Sequence, residues 1–231
     1  MNDLTILYYT ANMISDFFMK NIQYQIVKAA PVTTIISVSQ KPINFGKNIC
    51  IGEIGRSVYN LYYQVLIGLR EVKTKYVAIA EDDVLYPAEH FQYRPPEGTL
   101  NYDVNKWALF VWDKEPIFSN RLGRRTMTSL IAPTDTLLEH LEARYRKYPT
   151  IPSIPPEIYE YYWGEPGRFE AHLRLPALKV ERVESAIPHV TFYTPESLGF
   201  AHLGTRKRHG NRLASELPYW GKASEVRKLY D

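Results

Sequence analysis

Three consecutive acids, Glu81, Asp82 and Asp83, directly follow the apolar run Tyr76–Ala80, and we call them the acidic step. Neighbouring carboxylates repel one another, and the end of a buried strand solvates them poorly. A divalent cation such as Mg²⁺ or Mn²⁺ would offset this repulsion, because hard cations prefer carboxylate oxygens. In α/β folds, ligands bind outside the carboxyl ends of the strands. The acidic step therefore predicts a metal site that faces a phosphate-bearing ligand.

The residues before the acidic step predict a βαβ unit that would place it in a parallel sheet. Leu4–Tyr9 is apolar and β-prone, and a helix is expected from about Ser15 until Pro31 stops it. Val32–Val38 is a β-branched run that predicts a second strand, buried on both faces. A strand, a helix and another strand in close succession imply a parallel sheet with a right-handed crossover. The predicted fold class is α/β, with a mostly parallel central sheet flanked by helices.

A second helix is expected to begin at Ser57, where apolar residues recur with helical spacing. Arg56, Asn60 and Gln64 form a polar row beside this apolar stripe. The row has two interpretations. It is either a solvated flank of the helix, or a helix end that faces a phosphate group, with Arg56 as a phosphate ligand.

The remaining chain predicts short elements between long irregular stretches. Glycine and proline mark mostly loop structure over 39–55 and 86–103, and the polar, basic stretch 113–127 predicts a mobile surface loop. Further elements are expected as follows: strands at Trp107–Trp112, Met127–Ala132 and Val190–Tyr193, a helix capped by Thr134, and a short helix near Ser224 to Tyr230.

The composition bounds the class of protein. The chain has 231 residues, a net charge of +3 and a single cysteine, Cys50, which excludes an internal disulfide and is expected to be buried. Neither a signal peptide nor a membrane-spanning segment is recognisable, so we expect a cytoplasmic protein, or one in the host cytoplasm if the source is viral. Basic residues concentrate in two stretches, 121–125 and 206–212.

In the order of its elements, the segment 4–170 resembles the Rossmann-like GT-A glycosyltransferases, and most of all the family-2-type enzymes. The motif that carries the resemblance is the acidic step, although Glu81 stands where that family usually has Asp. The resemblance implies one domain, with a nucleotide-sugar-binding half at 1–113 and an acceptor half with a basic C-terminal tail at 114–231. It implies that a nucleotide-sugar donor, in the first place a UDP-sugar, gives its sugar to an acceptor hydroxyl.

The resemblance also implies a metal centre and a donor site. Asp83 would coordinate Mn²⁺ or Mg²⁺ at the donor diphosphate, Glu81 would face the metal or the ribose, and Asp82 would be a donor contact or a second ligand. The metal would act as a Lewis acid on the departing nucleoside diphosphate. The nucleoside would lie against the residues that follow the first strand, for which an ordinary βα turn is the alternative: Thr10, Ala11 and Asn12.

Inverting enzymes of this class need a carboxylate as general base. The stretch 163–166, Trp-Gly-Glu-Pro, resembles the Trp-Gly-x-Glu-Asp-like sequence that often carries this base, but it lacks the second acid. Glu165 is therefore the candidate base, with Glu157 and Glu160 behind it. The alternatives are a surface glutamate in a proline-bounded turn, and a retaining enzyme that requires no such base.

Many relatives add a metal-binding histidine from the late part of the chain. Here His202 is the first candidate, ahead of His189 and His209. The basic stretches would bind an anionic ligand, either the donor diphosphate or an anionic acceptor, unless they are simply solvated. The residues proposed for this role are Arg124, Arg125, Arg206, Lys207 and Arg208.

Two other classes of function stay open. A nucleotidyltransferase also places metal-binding acids at a strand end, but the loop Thr10–Met13 lacks the glycine and basic residues of that class. A non-catalytic carbohydrate- or nucleic-acid-binding protein would need no metal. The acceptor is also open. The basic stretches suggest a polyanionic acceptor such as a hydroxymethylated pyrimidine in DNA, which would have to be flipped out of the duplex, and the alternatives are a saccharide, lipid-linked or protein acceptor.

Overall fold

The computed structural model of the chain describes residues 3–121, 123–162, 164–198 and 210–231. The predicted βαβ unit is confirmed, with β1 at Leu4–Thr10, α1 at Asp16–Ala29 and β2 at Thr34–Ser39. Ser15 caps α1, where its hydroxyl accepts a hydrogen bond from the backbone N–H of Phe18 at 3.2 Å. β1 and β2 pair in parallel, as a right-handed βαβ crossover requires.

The predicted second helix and the strand before the acidic step are also present. Helix α2 spans Val58–Leu69, and the Ser57 hydroxyl caps it by accepting from the Asn60 N–H at 3.0 Å. Its Gly68 permits a close approach to the sheet, since a methyl group there would lie 2.2 Å from Leu7. The other elements are β3 (Lys47–Cys50), β4 (Tyr76–Glu81), β5 (Val84–Leu85), β6 (Thr99–Asp103), β7 (Lys106–Phe110), β8 (Phe118–Asn120), β9 (Leu130–Pro133), α3 (Thr134–Lys147), α4 (Tyr159–Tyr162), β10 (Lys179–Val183), β11 (His189–Tyr193), α5 (Pro195–Leu198), β12 (Leu213–Ala214), β13 (Glu216–Leu217), β14 (Gly221–Lys222) and α6 (Ala223–Arg227).

Seven strands form the central sheet in the order β10-β6-β9-β4-β1-β2-β3. The pairings of β1 with β2 and β4, of β2 with β3, and of β6 with β10 are parallel. Strand β9 runs antiparallel to both of its neighbours, β4 and β6. The α/β class with a mostly parallel central sheet flanked by helices is therefore confirmed.

A second sheet, in the order β12-β8-β7-β11-β5, begins where the acidic step ends, because β5 follows it at once. The strand pair β7–β11 is parallel, and β5 runs antiparallel to β11. A small hairpin, β13–β14, completes the described strands. Both sheets take strands from before and after residue 113, so each sheet joins the two predicted halves.

The central sheet is buried on both faces, because alternate side chains of β1 and β4 enter two separate cores. Ile6 and Ala78 belong to the core beneath α1, which also contains residues of β5 and β11. Leu7 and Val77 belong to the core beneath α2 and α3. This arrangement leaves the carboxyl ends of β1 and β4 as fixed platforms for a site.

The predictions for three irregular stretches have different outcomes. The stretch 39–55 is mostly loop as predicted, apart from β3, which pairs with the preceding strand β2. The prediction of an irregular loop over 86–103 is wrong, because β6 pairs with the distant strands β9 and β10. The stretch 113–127 contains β8, which pairs with β7. In the last stretch, Phe118 and Ser119 are fully buried, so it is not a mobile surface loop throughout. A 3₁₀ helix also occupies Ala88–Gln92.

Three further expectations need correction. Val32 is 87% exposed and precedes β2, whose burial begins only at Ile36. Cys50 is exposed, because β3 is the edge strand of the central sheet. Thr134 does not cap α3 with its side chain, since its hydroxyl donates instead to the Thr74 carbonyl at 2.8 Å. Among the described residues, no helix combines the length and the apolar character needed to cross a membrane.

Candidate functional site

The acidic step lines a cavity of about 350 Å³ at the carboxyl end of β4, and we call this cavity the cleft. Glu81 and Asp83 both face the cleft, whereas Asp82 lies between them. Glu81 is the last residue of β4, and Asp82 and Asp83 form the turn that leads into β5. The cleft is lined by Arg56, Val58, Leu61, Tyr62, Glu81, Asp83, Lys106, Arg121, Arg124, Thr126, Met127, Thr128, Glu165, Thr191 and Tyr193.

The side chain of Asp82 contacts the end of the neighbouring strand β1 and does not line the cleft. Its carboxylate accepts a hydrogen bond of 2.5 Å from the hydroxyl of Thr10. Burial raises the pKa of Asp82 to about 6, although the Thr10 hydrogen bond and the charge of Arg56 act in the opposite direction. Asp82 therefore ties the carboxyl ends of β1 and β4 together, which fixes its two acidic neighbours.

Backbone hydrogen bonds fix the acids that face the cleft. The carbonyl of Asp83 accepts from the N–H of Phe192 at 2.8 Å, which joins the acidic step to β11. The N–H of Glu81 donates to the phenol oxygen of Tyr86 at 3.0 Å. Asp83 is 8% exposed, so its carboxylate opens onto the cleft and otherwise packs against protein.

The predicted nucleoside-binding residues lie beside the cleft and outside its lining. Thr10 bonds Asp82, and its hydroxyl also accepts from the N–H of Asn12 at 2.8 Å. Asn12 has φ = 55°, a left-handed conformation that asparagine tolerates. Its side-chain oxygen accepts from the N–H groups of Gln40 and Lys41, each at 2.9 Å. Thr10, Ala11 and Asn12 thus form a braced turn at the edge of the site.

The three side chains of the polar row, Arg56, Asn60 and Gln64, contact three different parts of the structure. Arg56 lines the cleft, and its guanidinium donates to the Glu196 carbonyl at 2.5 Å. Asn60 donates to the Ile54 carbonyl at 2.6 Å and so anchors the segment before the helix. Gln64 is buried, and its amide donates to the carbonyl of Thr10 at 2.8 Å. Only Gln64 is therefore buried at the carboxyl end of β1, whereas Asn60 is half-buried and Arg56 is exposed at the cleft.

Basic residues also line the cleft. Lys106 is buried, and its ammonium group donates to the hydroxyls of Thr126 and Ser129 at 2.5 and 3.3 Å. Burial lowers the pKa of Lys106 to about 7. The guanidinium of Arg121 lies over the rings of Phe110 and Tyr193, 5.7 and 5.3 Å from their centroids.

Lys106 and Arg121 were not predicted as site residues. Lys106 begins the apolar strand β7, and its local sequence gives no sign that it is buried. Arg121 belongs to a basic stretch in which the sequence predicts Arg124 and Arg125 as anion-binding residues. Of these two, Arg124 lines the cleft, whereas the guanidinium of Arg125 donates to the carbonyl of Gly167 at 3.2 Å. The predicted residues His202, Arg206, Lys207 and Arg208 lie outside the described residues.

Glu165 reaches the cleft from an irregular segment, 164–170, which we call the glutamate loop. Its side chain is 14% exposed, and its carboxylate lies 3.3 Å from the Arg168 guanidinium. The loop is held by its carbonyl groups: Gly164 accepts from the Tyr62 phenol at 3.1 Å, and Pro166 accepts from the Tyr102 phenol at 2.8 Å. Glu157 and Glu160, the other candidate bases, are exposed and lie outside the cleft lining.

A fully buried arginine lies behind the glutamate loop. Arg144 of α3 is sandwiched by the rings of Tyr62 and Tyr162, whose centroids are 4.8 and 5.3 Å from its guanidinium carbon. It donates to the Gly164 carbonyl at 3.4 Å and lies 3.8 Å from the carboxylate of Glu170. Glu170 in turn accepts from the N–H of Gly167 at 2.7 Å. These contacts link the buried charge pair to the backbone on both sides of Glu165.

The chemistry of the cleft follows from its lining. Two carboxylates, Glu81 and Asp83, offer the oxygen atoms that hard divalent cations prefer. The guanidinium groups of Arg56, Arg121 and Arg124 suit a ligand that carries negative charge. A third carboxylate, Glu165, is placed to accept a proton. The arrangement suits an anionic ligand bound together with a hard cation.

No protein-family model matches the chain, and no curated protein matches it. Among solved structures, it is similar to the bifunctional IspDF from Campylobacter jejuni over 80% of this chain and 50% of that one, with 11% identity and a TM-score of 0.40. It is similar to S. aureus TarS over 84% of this chain and 37% of that one, with 9% identity and a TM-score of 0.45. A structure of S. aureus TarS 1-349 in complex with UDP matches over 84% of this chain and 61% of that one, with 10% identity and a TM-score of 0.45.

The chain therefore spans about 37% to 61% of the length of these three structures. At these identities and TM-scores the likeness bears on neither ligand nor reaction.

Proposed function

We propose that this chain is a metal-dependent glycosyltransferase that moves a sugar from a nucleotide-sugar donor, expected to be a UDP-sugar, to an acceptor hydroxyl. The observation that carries the proposal is the meeting of Glu81, Asp83, Arg56 and Glu165 around one cleft at the carboxyl end of a central strand. A reaction of this kind needs a cation site, a diphosphate site and a proton acceptor within reach of one substrate. The cleft offers residue types suited to all three.

Glu81 and Asp83 fit a resident Mn²⁺ or Mg²⁺, because both carboxylates line the cleft and carboxylate oxygen suits hard cations. When bound, such an ion would stabilise the negative charge of the departing nucleoside diphosphate as a Lewis acid. Arg56, at the start of α2, would bind the diphosphate oxygens together with the positive end of the helix dipole. The braced turn 10–12 would support the nucleoside at the edge of the site.

Glu165 would act as the general base. Its carboxylate would take the proton of the acceptor hydroxyl while that oxygen attacks the anomeric carbon, and the bond from this carbon to the diphosphate would break. Arg168, whose guanidinium lies 3.3 Å from this carboxylate, would hold one of its oxygens in place. This role requires inversion of configuration at the anomeric carbon.

The acceptor is expected to be anionic, because Arg121 and Arg124 line the cleft together with Arg56. DNA that contains a hydroxymethylated pyrimidine supplies both a phosphate backbone and a free hydroxyl, and a neutral saccharide supplies only the hydroxyl. Transfer of radiolabelled sugar to hydroxymethylated duplex DNA, falling steeply as salt rises, would support the DNA acceptor. Equal labelling of unmodified duplex would refute it, and labelling of neutral oligosaccharides alone would favour the saccharide.

The donor side is tested by a thermal-shift screen of UDP-, GDP-, CDP- and dTDP-sugars with Mn²⁺, with Mg²⁺ and with EDTA. One nucleotide-sugar should raise the melting temperature only when a divalent ion is present, and the same sugar should then release nucleoside diphosphate. Release of pyrophosphate from a nucleoside triphosphate would instead identify a nucleotidyltransferase. Stabilisation that is unchanged by EDTA, without turnover, would identify a non-catalytic binding protein.

A further inference from the structure

A second group of possible metal ligands lies buried outside the cleft lining. His90, Asp103 and His189 are 3%, 3% and 0% exposed, and one ligand atom from each lies within 4.8 Å of the others. The two imidazole rings meet edge to face, with centroids 4.4 Å apart. We call these residues the buried triad. None of its members belongs to the site proposed above for Mn²⁺ or Mg²⁺.

The imidazoles lack the hydrogen bonds that buried polar groups normally make. Within the part of the chain that the structure describes, His90 Nε2 and His189 Nδ1 have no hydrogen-bond partner. His189 Nε2 lies 3.2 Å from Asp103 Oδ2. A buried polar atom left unpaired destabilises the fold, so each such atom calls for a physical explanation.

The carboxylate of Asp103 is oriented as a metal ligand would be. Its Oδ1 atom accepts from the backbone N–H groups of Asn105 at 2.9 Å and Ser185 at 3.3 Å. Oδ2 is thereby directed toward His189. Outer contacts of this kind commonly fix the orientation of ligating carboxylates.

We propose that the buried triad binds one Zn²⁺ ion. Two imidazole nitrogens and a carboxylate oxygen are a frequent zinc ligand set, with bonds of about 2.0–2.2 Å and hence ligand atoms about 3.4 Å apart. The separations in the triad exceed this by at most about 1.4 Å, so the three side chains would have to draw together on binding the ion. The fourth position of the tetrahedron would go to a water molecule.

Two histidines and a carboxylate can also hold the iron of oxygen-activating enzymes. Those centres keep positions open to substrate and oxygen, whereas the triad is enclosed on all sides. Enclosure favours an ion without redox chemistry. The bound Zn²⁺ would join the 3₁₀ helix 88–92, the end of β6 in the central sheet and the start of β11 in the second sheet, and so would clamp the two sheets together.

The test measures metal in the full chain, produced without a histidine tag and dialysed first against EDTA. After equilibration with micromolar Zn²⁺ and removal of the excess, mass spectrometry of metals should find one zinc per chain, and the melting temperature should rise relative to the EDTA-treated protein. Co²⁺ in place of Zn²⁺ should give the intense visible bands of a tetrahedral site. Zinc far below one equivalent, or one equivalent of iron retained from expression, would overturn the proposal.

Variants locate the ion. His90→Gln and Asp103→Asn should lose the zinc equivalent and the cobalt bands. The double variant Glu81→Gln/Asp83→Asn should keep both, because its changes lie in the cleft. His172→Gln is the matched control, since this histidine is exposed on the surface. Zinc retained by both triad variants would place the ion elsewhere and refute the assignment, and the wild-type titration stands even if a variant fails to fold.

Discussion

The two acidic walls of the cleft are held in place by different physical means. Glu81 and Asp83 stand at the end of β4, whose backbone is paired with β1 on one side and β9 on the other. Glu165 stands on the glutamate loop, which belongs to neither sheet and is held through its carbonyl groups by Tyr62, Tyr102 and Arg144. The strand wall, which consists of Glu81 and Asp83, therefore depends on backbone pairing. The loop wall, which consists of Glu165, depends on a few buried side chains.

This difference determines whether a substitution at the site changes activity alone or changes activity and stability together. A strand keeps its course when one side chain at its end is changed, because its hydrogen bonds come from the main chain. A loop held by buried polar side chains moves or loosens when one of them is removed, because the remaining partners are left unpaired. We therefore expect variants of the strand wall to change chemistry alone, and variants behind the loop wall to change stability and chemistry together.

The largest effect on activity is expected at the strand wall. Asp83→Asn should reduce Mn²⁺-dependent transfer by about 1,000-fold, since loss of a ligand to a Lewis-acid metal removes several kcal/mol of transition-state stabilisation. The melting temperature without metal should stay close to that of the wild type. Glu97→Gln is the control, because it removes one carboxylate from an exposed surface ion pair with Lys75. Full Mn²⁺-dependent activity in Asp83→Asn would refute the metal assignment.

The largest effect on stability is expected behind the loop wall. Arg144→Met should lower the free energy of unfolding by about 3–5 kcal/mol, because it leaves the charge of Glu170 buried without its partner. Adding Glu170→Gln should recover part of this loss, since the uncompensated charge is then removed. Urea denaturation measures both, and Arg146→Met is the control because that arginine is exposed on the same helix. If Arg144→Met lies within about 1 kcal/mol of the wild type, the loop does not depend on this buried pair.

The variant Glu165→Gln tests whether the Glu165 carboxylate acts as a base or only fills its place in the cleft. The amide keeps the shape of the side chain but cannot accept a proton as a base, so transfer should fall about 100-fold while donor affinity stays unchanged. Steady-state kinetics and donor titration measure the two quantities, with exposed Glu184→Gln as control. A loss in Glu160→Gln but not in Glu165→Gln would move the base to Glu160. Equal impairment of binding and transfer would show that Glu165 is no base.

Local sequence patterns were sufficient for the strand wall. Short-range periodicity predicts β1, α1, β2, α2 and β4, because each of these elements has an apolar pattern that matches its own geometry. The acidic step then follows at the end of β4, and both Glu81 and Asp83 line the same cavity. Their role as metal ligands stays a prediction.

The loop wall depends on long-range contacts that no local pattern encodes. Arg144 looks like a surface residue of a charged helix, and its burial is decided by the rings of Tyr62 and Tyr162. The local sequence predicts a loop where β6 lies, because the partners of this strand, β9 and β10, lie far along the chain. Asp82 faces away from the cleft because of a threonine 72 residues earlier. In each case the deciding partner is distant in sequence.

A substitution of Tyr62 is expected to have the smallest effect, and it tests most directly whether the strand wall and the loop wall are held by different means. Helical spacing assigns it to the apolar stripe of α2, yet its phenol donates to the Gly164 carbonyl at 3.1 Å. Burial raises the pKa of Tyr62, so the phenol keeps its proton and donates throughout the working pH range.

Tyr62→Phe should therefore cost about 1 kcal/mol of unfolding free energy and a few-fold in transfer rate, because Arg144 still donates to the same carbonyl. Urea denaturation and initial rates measure these changes, and exposed Tyr24→Phe is the control. A loss of activity as large as that of Arg144→Met, without its loss of stability, would mean that α2 alone sets the position of Glu165. The loop wall would then be fixed by the same helix whose start lines the donor side of the cleft, and the contrast between the two walls would be refuted.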